Sequence, residues 1–168
     1  MDEYLDIVNE LDNVTGFKLR SDFYANGESN FRVINAFVKN SKGELWIPKR
    51  TASKKLFPLH LDVSVGGHVK SGESYGLAFE RELAEELNIN INSVSHKEIG
   101  YFMPHKNSLS AFMKVYEISS NDNPNYNKED FIDAFWIYPE DLMNLIKNGE
   151  KAKGDLPKLL NLCYGTKI

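Results

Sequence analysis

One stretch restricts this chain more than any other. Leu61–Val65 alternates as a strand and runs into Gly66 and Gly67, and a helical pattern follows from Ser74 to Leu87. At 100° per residue, Glu82, Glu85 and Glu86 fall on one face of that helix. Like charges at this spacing destabilise a helix by roughly 0.2–0.5 kcal/mol per pair, so three of them need something to offset them. Hard divalent cations bound through oxygen are the natural candidates. The order strand, glycine pair, helix sets the carboxylates beside a loop where backbone can approach a ligand, so the Gly67 carbonyl is a further candidate ligand. Arg81 can reach back to Glu73 or forward to Glu85 and hold a carboxylate with a two-pronged contact. Ser71 and Ser74 are both candidate caps, and Glu73 sits near the positive end of the helix dipole.

The rest of the chain reads as short elements around this unit. Tyr4, Leu5, Val8 and Leu11 recur at helical spacing and predict a short amphipathic N-terminal helix. Arg32–Val38 and Glu44–Ile47 read as strands joined by a turn over Asn40–Gly43, and Pro48 predicts a strand end or bulge. Glu98–Met103, Leu109–Ile118 and Phe131–Tyr138 read as further strands, with a polar loop over Asn121–Asn127. Pro139 opens a helix that runs to Lys147 and closes at Asn148-Gly149, and a last helix covers Leu156–Cys163. Strands on both sides of a central helix predict an α+β fold, an α/β/α sandwich with a mixed central sheet. At 168 residues the chain is expected to form one domain, with its C-terminal helices, within 139–164, packed on it.

Composition narrows the partners. A net charge of −4 argues against a protein built to bind nucleic acid. It leaves open a small phosphorylated substrate, because a local basic patch or a bound cation overrides the overall sign. Cys163 is the single cysteine, so neither a disulfide framework nor a cysteine-based zinc site forms within one chain. The acidic start lacks the basic and apolar regions of a signal peptide, and no apolar run reaches the ~18 residues a membrane span needs. A cytoplasmic protein is the expectation.

Glu82, Glu85 and Glu86 alone would read as a solvated acidic face. The whole spacing says more. Gly67, Glu73, Arg81, Glu82, Glu85 and Glu86, with bulky aliphatic Leu83 and Ile89, match Gly-x5-Glu-x7-Arg-Glu-U-x-Glu-Glu-x-Gly-U. A chance match in this length is on the order of one in a million at average residue usage. The segment resembles the Nudix box. Asn88 stands where the pattern has glycine, a helix C-cap position for which Asn is the usual second choice. Glu3 to Gly16, then Arg32-Val-Ile, Leu45–Arg50, Lys54, Pro58, Asp62 and Gly67-His68 are similar to the Nudix subgroup related to isopentenyl diphosphate isomerase. Asp130–Leu142 resembles the strand, tryptophan and helix that close Nudix domains.

The resemblance implies a Nudix fold and Mg²⁺-dependent (or Mn²⁺-dependent) hydrolysis of a diphosphate linkage, in a nucleoside diphosphate joined to another group or a related metabolite. It implies Glu82, Glu85, Glu86 and the Gly67 carbonyl as metal ligands, with Glu82 also as base and Glu73 and Arg81 orienting the cluster. The metal would neutralise the diphosphate and acidify a bound water. Family members often recruit another acid from outside the box. Asp133, Asp130 and Glu129 are the candidates, Asp133 first because it lies three residues before Trp136. Lys49, Arg50, Lys54 and Lys55 form a basic cluster, of which Arg50, Lys54 and Lys55 are candidate contacts for substrate phosphates, as is His68 after the glycines. A homodimer is also within the family pattern. Two alternatives stand beside this: a silent nucleotide-binding Nudix sensor, and the isomerase. The isomerase needs a cysteine in the loop before the helix, where this chain has Gly66.

Overall fold

A computed structural model describes residues 2–168. At its centre, β3 (Arg32–Lys39) is apolar on both faces, as a strand covered on both sides must be. It pairs in parallel with β7 (Phe112–Ser119), which pairs antiparallel with β6 (Ser95–Phe102). The other edge of β3 is shared. Val38 and Lys39 pair with β4 (Leu45–Arg50), whereas Val33 to Ala36 pair with β5 (Val65–His68). The sheet therefore splits between β4 and β5. Beyond β4 lies β8 (Phe131–Ile137).

One face of the sheet carries α2 (Tyr75–Leu87), whose Ala78, Phe79, Leu83 and Leu87 pack on Ile34, Ala36, Val38 and Val65. Burying Phe79, Leu83 and Leu87 contributes about 1.5–3 kcal/mol each. The Phe79 ring stacks on Tyr116 at 4.2 Å. The other face is covered by α4 (Pro139–Lys147) and α5 (Leu156–Tyr164), through Leu142, Met143, Leu156, Leu159 and Leu160 against Phe37, Leu45, Ile47, Met113 and Val115. This is the mixed α/β/α sandwich predicted. Among the described residues no helix is long and apolar enough to cross a membrane.

The N-terminal helix does not form. Tyr4–Val8 is strand β1, paired antiparallel with β2 (Val14–Leu19), and α1 (Arg20–Ala25) follows. The apolar residues lie three apart, the helical period, and the strand accommodates them through a register shift between Ile7 and Val8 that leaves both Leu5 and Val8 buried. What favours the strand is tertiary: buried Asp6 accepts from the Ser71 hydroxyl and the Gly72 N–H, tying the hairpin to the loop before α2. The strand expected over Leu61–Val65 begins only at Val65. Its first residues bond to scattered partners, Leu61 N–H to the Lys151 carbonyl and Asp62 N–H to that of Pro48. Pro48 lies inside β4 rather than ending it. Its carbonyl faces the split, so its missing N–H does too, and the β4–β8 ladder loses no bond.

Candidate active site

The helix α2 is placed by its ends. Ser74, not Ser71, caps it: its Oγ accepts from the Leu77 N–H at 3.2 Å. At the other end Asn88 adopts the left-handed conformation (φ 55°) expected of it, and its N–H returns to the Ala84 carbonyl. With the apolar stripe buried, Glu82 and Glu86 turn toward β5. The Glu86 Oε2 accepts the Gly66 N–H at 3.0 Å. Glu82 packs so tightly on Gly67 that a Cβ there would stand 2.0 Å from Glu82 Oε1.

Arg81 ties the box together. Its Nε and Nη2 each donate to Glu73 at 2.9 Å, Nη2 also donates to the His68 carbonyl, and Nη1 reaches Glu82 Oε1 at 2.5 Å and Glu85 Oε2 at 3.5 Å. Burial opposes charge on Glu73, but Arg81 and the Lys70 N–H hold it below the usual carboxylate range. Glu82 and Glu86 go the other way. Burial pushes Glu82 up against the pull of Arg81. Burial pushes Glu86 well up, against its bond from Gly66 and with help from the negative charges of Glu82, Asp62 and Asp130. Among the described residues Glu86 has no ion-pair partner.

These groups line a cavity of about 520 Å³ that passes through the split in the sheet, within the size range of small-molecule sites. Arg50, Lys54, Lys55 and His68 lie on its wall, as do Gly67, Arg81, Glu82, Glu85 and Glu86. Glu73 supports the cluster through Arg81 rather than from the cavity wall. Arg50 is held by Asp62 at 2.7 Å and by the Leu56 carbonyl, and Lys54 is paired with Asp130. Of the three outside acids, Asp130 alone reaches the cavity. Asp133 is exposed on β8 opposite Lys49, and exposed Glu129 meets Thr51 only through its carbonyl.

The His68 imidazole lies 3.5 Å from Glu3, which would favour its cation. Burial dominates, aided by Arg20, Lys153 and Arg81, and pushes it down to about 3, while Arg20 already takes Glu3. His68 is therefore a neutral ring, bonded to the Tyr24 hydroxyl at 2.9 Å. Sequence reasoning missed several lining residues. Glu3, Arg20 and Tyr24 arrive from the N-terminal hairpin and α1, Asp62 from the irregular run before β5, and Lys153 and Asp155 from the approach to α5. No local pattern announces them, since only the folded chain brings these segments together.

As they stand, no three histidine, cysteine, aspartate or glutamate side chains among the described residues are gathered closely enough to hold a metal ion. Glu85 leans outward, its side chain 56% exposed, and Arg81 occupies one oxygen of Glu82. The donor set still fits a hard cation. Its oxygens are the right type, and the half-buried Glu86, held at one oxygen by the Gly66 N–H, has no cationic partner among the described residues to offset the water it has lost.

Comparison with known proteins decides the family. A sequence model of the NUDIX domain matches residues 30–160. The chain belongs to the Nudix family. An uncharacterised Nudix hydrolase of Nostoc sp. is 55% identical over 162 residues, covering 96% of each chain. A crystal structure of a Deinococcus radiodurans protein superposes with a TM-score of 0.91 at 49% identity, covering 96% of this chain and 99% of that one. More distantly, the isopentenyl-diphosphate Delta-isomerase 1 of Photorhabdus laumondii is 28% identical over 156 residues, 86% of this chain and 85% of its own. The Nudix box of this chain is the run from Gly67 through α2 to Ile89.

Proposed function

We propose that this Nudix protein hydrolyses the diphosphate linkage of a small metabolite, with Mg²⁺ (or Mn²⁺) held by Glu82, Glu85, Glu86 and the Gly67 carbonyl. The observation that carries the reading is Glu86, a half-buried carboxylate without a cationic partner among the described residues, on the wall of a cavity also lined by Arg50, Lys54 and Lys55. A bound cation supplies charge neutralisation and makes a water acidic enough to act at neutral pH.

The protein's own groups do the rest. Arg81, locked to Glu73, fixes Glu82 through Oε1 and leaves Oε2 to take the proton of the attacking water. The water oxygen forms a bond to phosphorus as the bridging oxygen leaves with the other phosphate. Lys55 has no ion-pair partner among the described residues and is the readiest contact for substrate phosphate, while Arg50 and Lys54 are pre-positioned by Asp62 and Asp130. Neutral His68 contributes a hydrogen-bonding ring rather than charge.

Isomerase chemistry has no cysteine to work with here. Gly66, on strand β5, stands where the isomerase has its cysteine, and Cys163 lies on α5 outside the cavity wall. The test is release of phosphate or nucleotide from a diphosphate panel with Mg²⁺ and again with a chelator. Cleavage that the chelator abolishes supports the reading. Nucleotide binding without cleavage of any panel member replaces it with a sensor.

A further inference from the structure

Asn35 is the polar exception on β3, flanked by Val33, Ile34, Ala36 and Phe37. It is 5% exposed. Yet among the described residues the one hydrogen bond its side chain makes runs from Nδ2 to the Met113 sulfur at 3.4 Å, and a thioether is a weak acceptor. The Oδ1 accepts none. Burying a carboxamide in this way is unfavourable unless something else completes its bonds.

Asn35 is not sealed in the core. It lines the cavity together with Met113, Leu156 and Leu159. Gly66 faces it in the antiparallel register, and a Cβ on Gly66 would come 3.1 Å from Asn35 Oδ1, so the glycine keeps the amide accessible. The same Gly66 holds Glu86 through its N–H. The unspent amide therefore lies next to the carboxylate cluster, where the group attached to a diphosphate would be seated.

We propose that Asn35 is a specificity-determining residue whose carboxamide hydrogen-bonds the nucleoside of a nucleoside diphosphate substrate and selects against diphosphates that carry a hydrocarbon. The proposal rests on the diphosphate reading of the site. A carboxamide presents a donor and an acceptor side by side, a pattern matched by base edges and by sugar hydroxyls. Met113, Leu156 and Leu159 supply the apolar flank for a ring. A hydrocarbon in the same place would leave the amide dry and unpaired, the penalty by which polar sites reject analogues lacking the polar group.

Calorimetric titration of the full chain tests this with nucleoside 5′-monophosphates, ribose 5-phosphate, geranyl phosphate and inorganic phosphate. These ligands are not diphosphates, so the outcome is independent of whether the protein cleaves one. The wild type is expected to bind at least one nucleoside monophosphate more tightly than geranyl phosphate. Asn35→Leu is expected to weaken that binding about tenfold or more, leaving inorganic phosphate unchanged. If ribose 5-phosphate weakens equally, the contact is to the sugar; if it does not, the contact is to the base. Asn35→Ser, which withdraws the amide at small volume cost, replaces the leucine variant if the latter fails to fold. Nucleoside monophosphates that bind the variant as tightly as the wild type, or a wild type that prefers geranyl phosphate, would overturn the proposal.

Discussion

Gly67 and Glu82 contend for one volume: a Cβ on Gly67 would stand 2.0 Å from Glu82 Oε1 and 2.6 Å from its Cγ. The helix is pinned by its apolar stripe, so the glutamate tail is what must give way. Gly67→Ala is expected to fold normally and to lose roughly 100-fold or more in kcat, the scale on which an ångström of misplacement acts. Full activity in a correctly folded Gly67→Ala protein would contradict the proposed role of Glu82.

Arg81 spreads its donors over Glu73, Glu82, Glu85 and the His68 carbonyl. Lysine keeps the charge but lacks the planar fork. Arg81→Lys is expected to lower kcat at least about tenfold and to lower stability by about 1–3 kcal/mol, read by steady-state kinetics and urea unfolding. An unchanged kcat would show that the fork does not position the carboxylates.

Away from the site, Asp12 fastens the N-terminal hairpin. Its carboxylate accepts from Arg32 Nε at 2.6 Å and from the hydroxyls of Tyr75 and Tyr101 at 2.9 and 2.7 Å. Asp12→Ala strands a mostly buried guanidinium and is expected to cost about 3 kcal/mol in urea unfolding. Asp12→Asn, which still accepts hydrogen bonds and tolerates the positive φ, is expected to cost less.

Cys163 reports on folding rather than chemistry. Burial, with Glu117 adding to it, pushes its thiol up to about 12. Because the folded value lies above that of a free thiol, the native side chain stays protonated through neutral and mildly basic pH. At pH 8 its alkylation is expected to run about 1000-fold slower than in the unfolded chain. A native rate equal to the unfolded one would mean that the thiol is exposed.

The legible parts of this molecule were those with a local physical signature. The capped helix after Ser74 could be read because periodicity, cap chemistry and the spacing of Glu82, Glu85 and Glu86 are all short-range, whereas the strand before it begins later than its alternation suggests, and Gly66 and Gly67, which read as a loop, lie inside β5 paired with β3. Strand β3 could be read from its largely apolar run, though not that both of its faces are covered. The N-terminal hairpin could not, because Leu5 and Val8 stand at helical spacing, reconciled with a strand only by the register shift between Ile7 and Val8, and the deciding partners of Asp6 are Ser71 and Gly72, far along the chain. The cavity's other walls were hidden for the same reason. Arg20, Asp62 and Lys153 meet there only once the sheet has split between β4 and β5. Asp130 rather than Asp133 reaches the cavity because it stands just before β8, where its carbonyl accepts the Thr51 N–H and its carboxylate pairs with Lys54, partners far back in the chain.

The central claim is that the α2 carboxylates carry a metal-dependent diphosphate hydrolysis, and Glu86→Gln tests it most directly. The substitution keeps the shape and an acceptor for the Gly66 N–H while removing the carboxylate charge. With Mg²⁺ and whichever diphosphate the wild type cleaves, the variant is predicted to fold and to lose about 100-fold or more in turnover. Turnover equal to that of the wild type would contradict the assignment of Glu86 to the metal and, with it, the proposed mechanism.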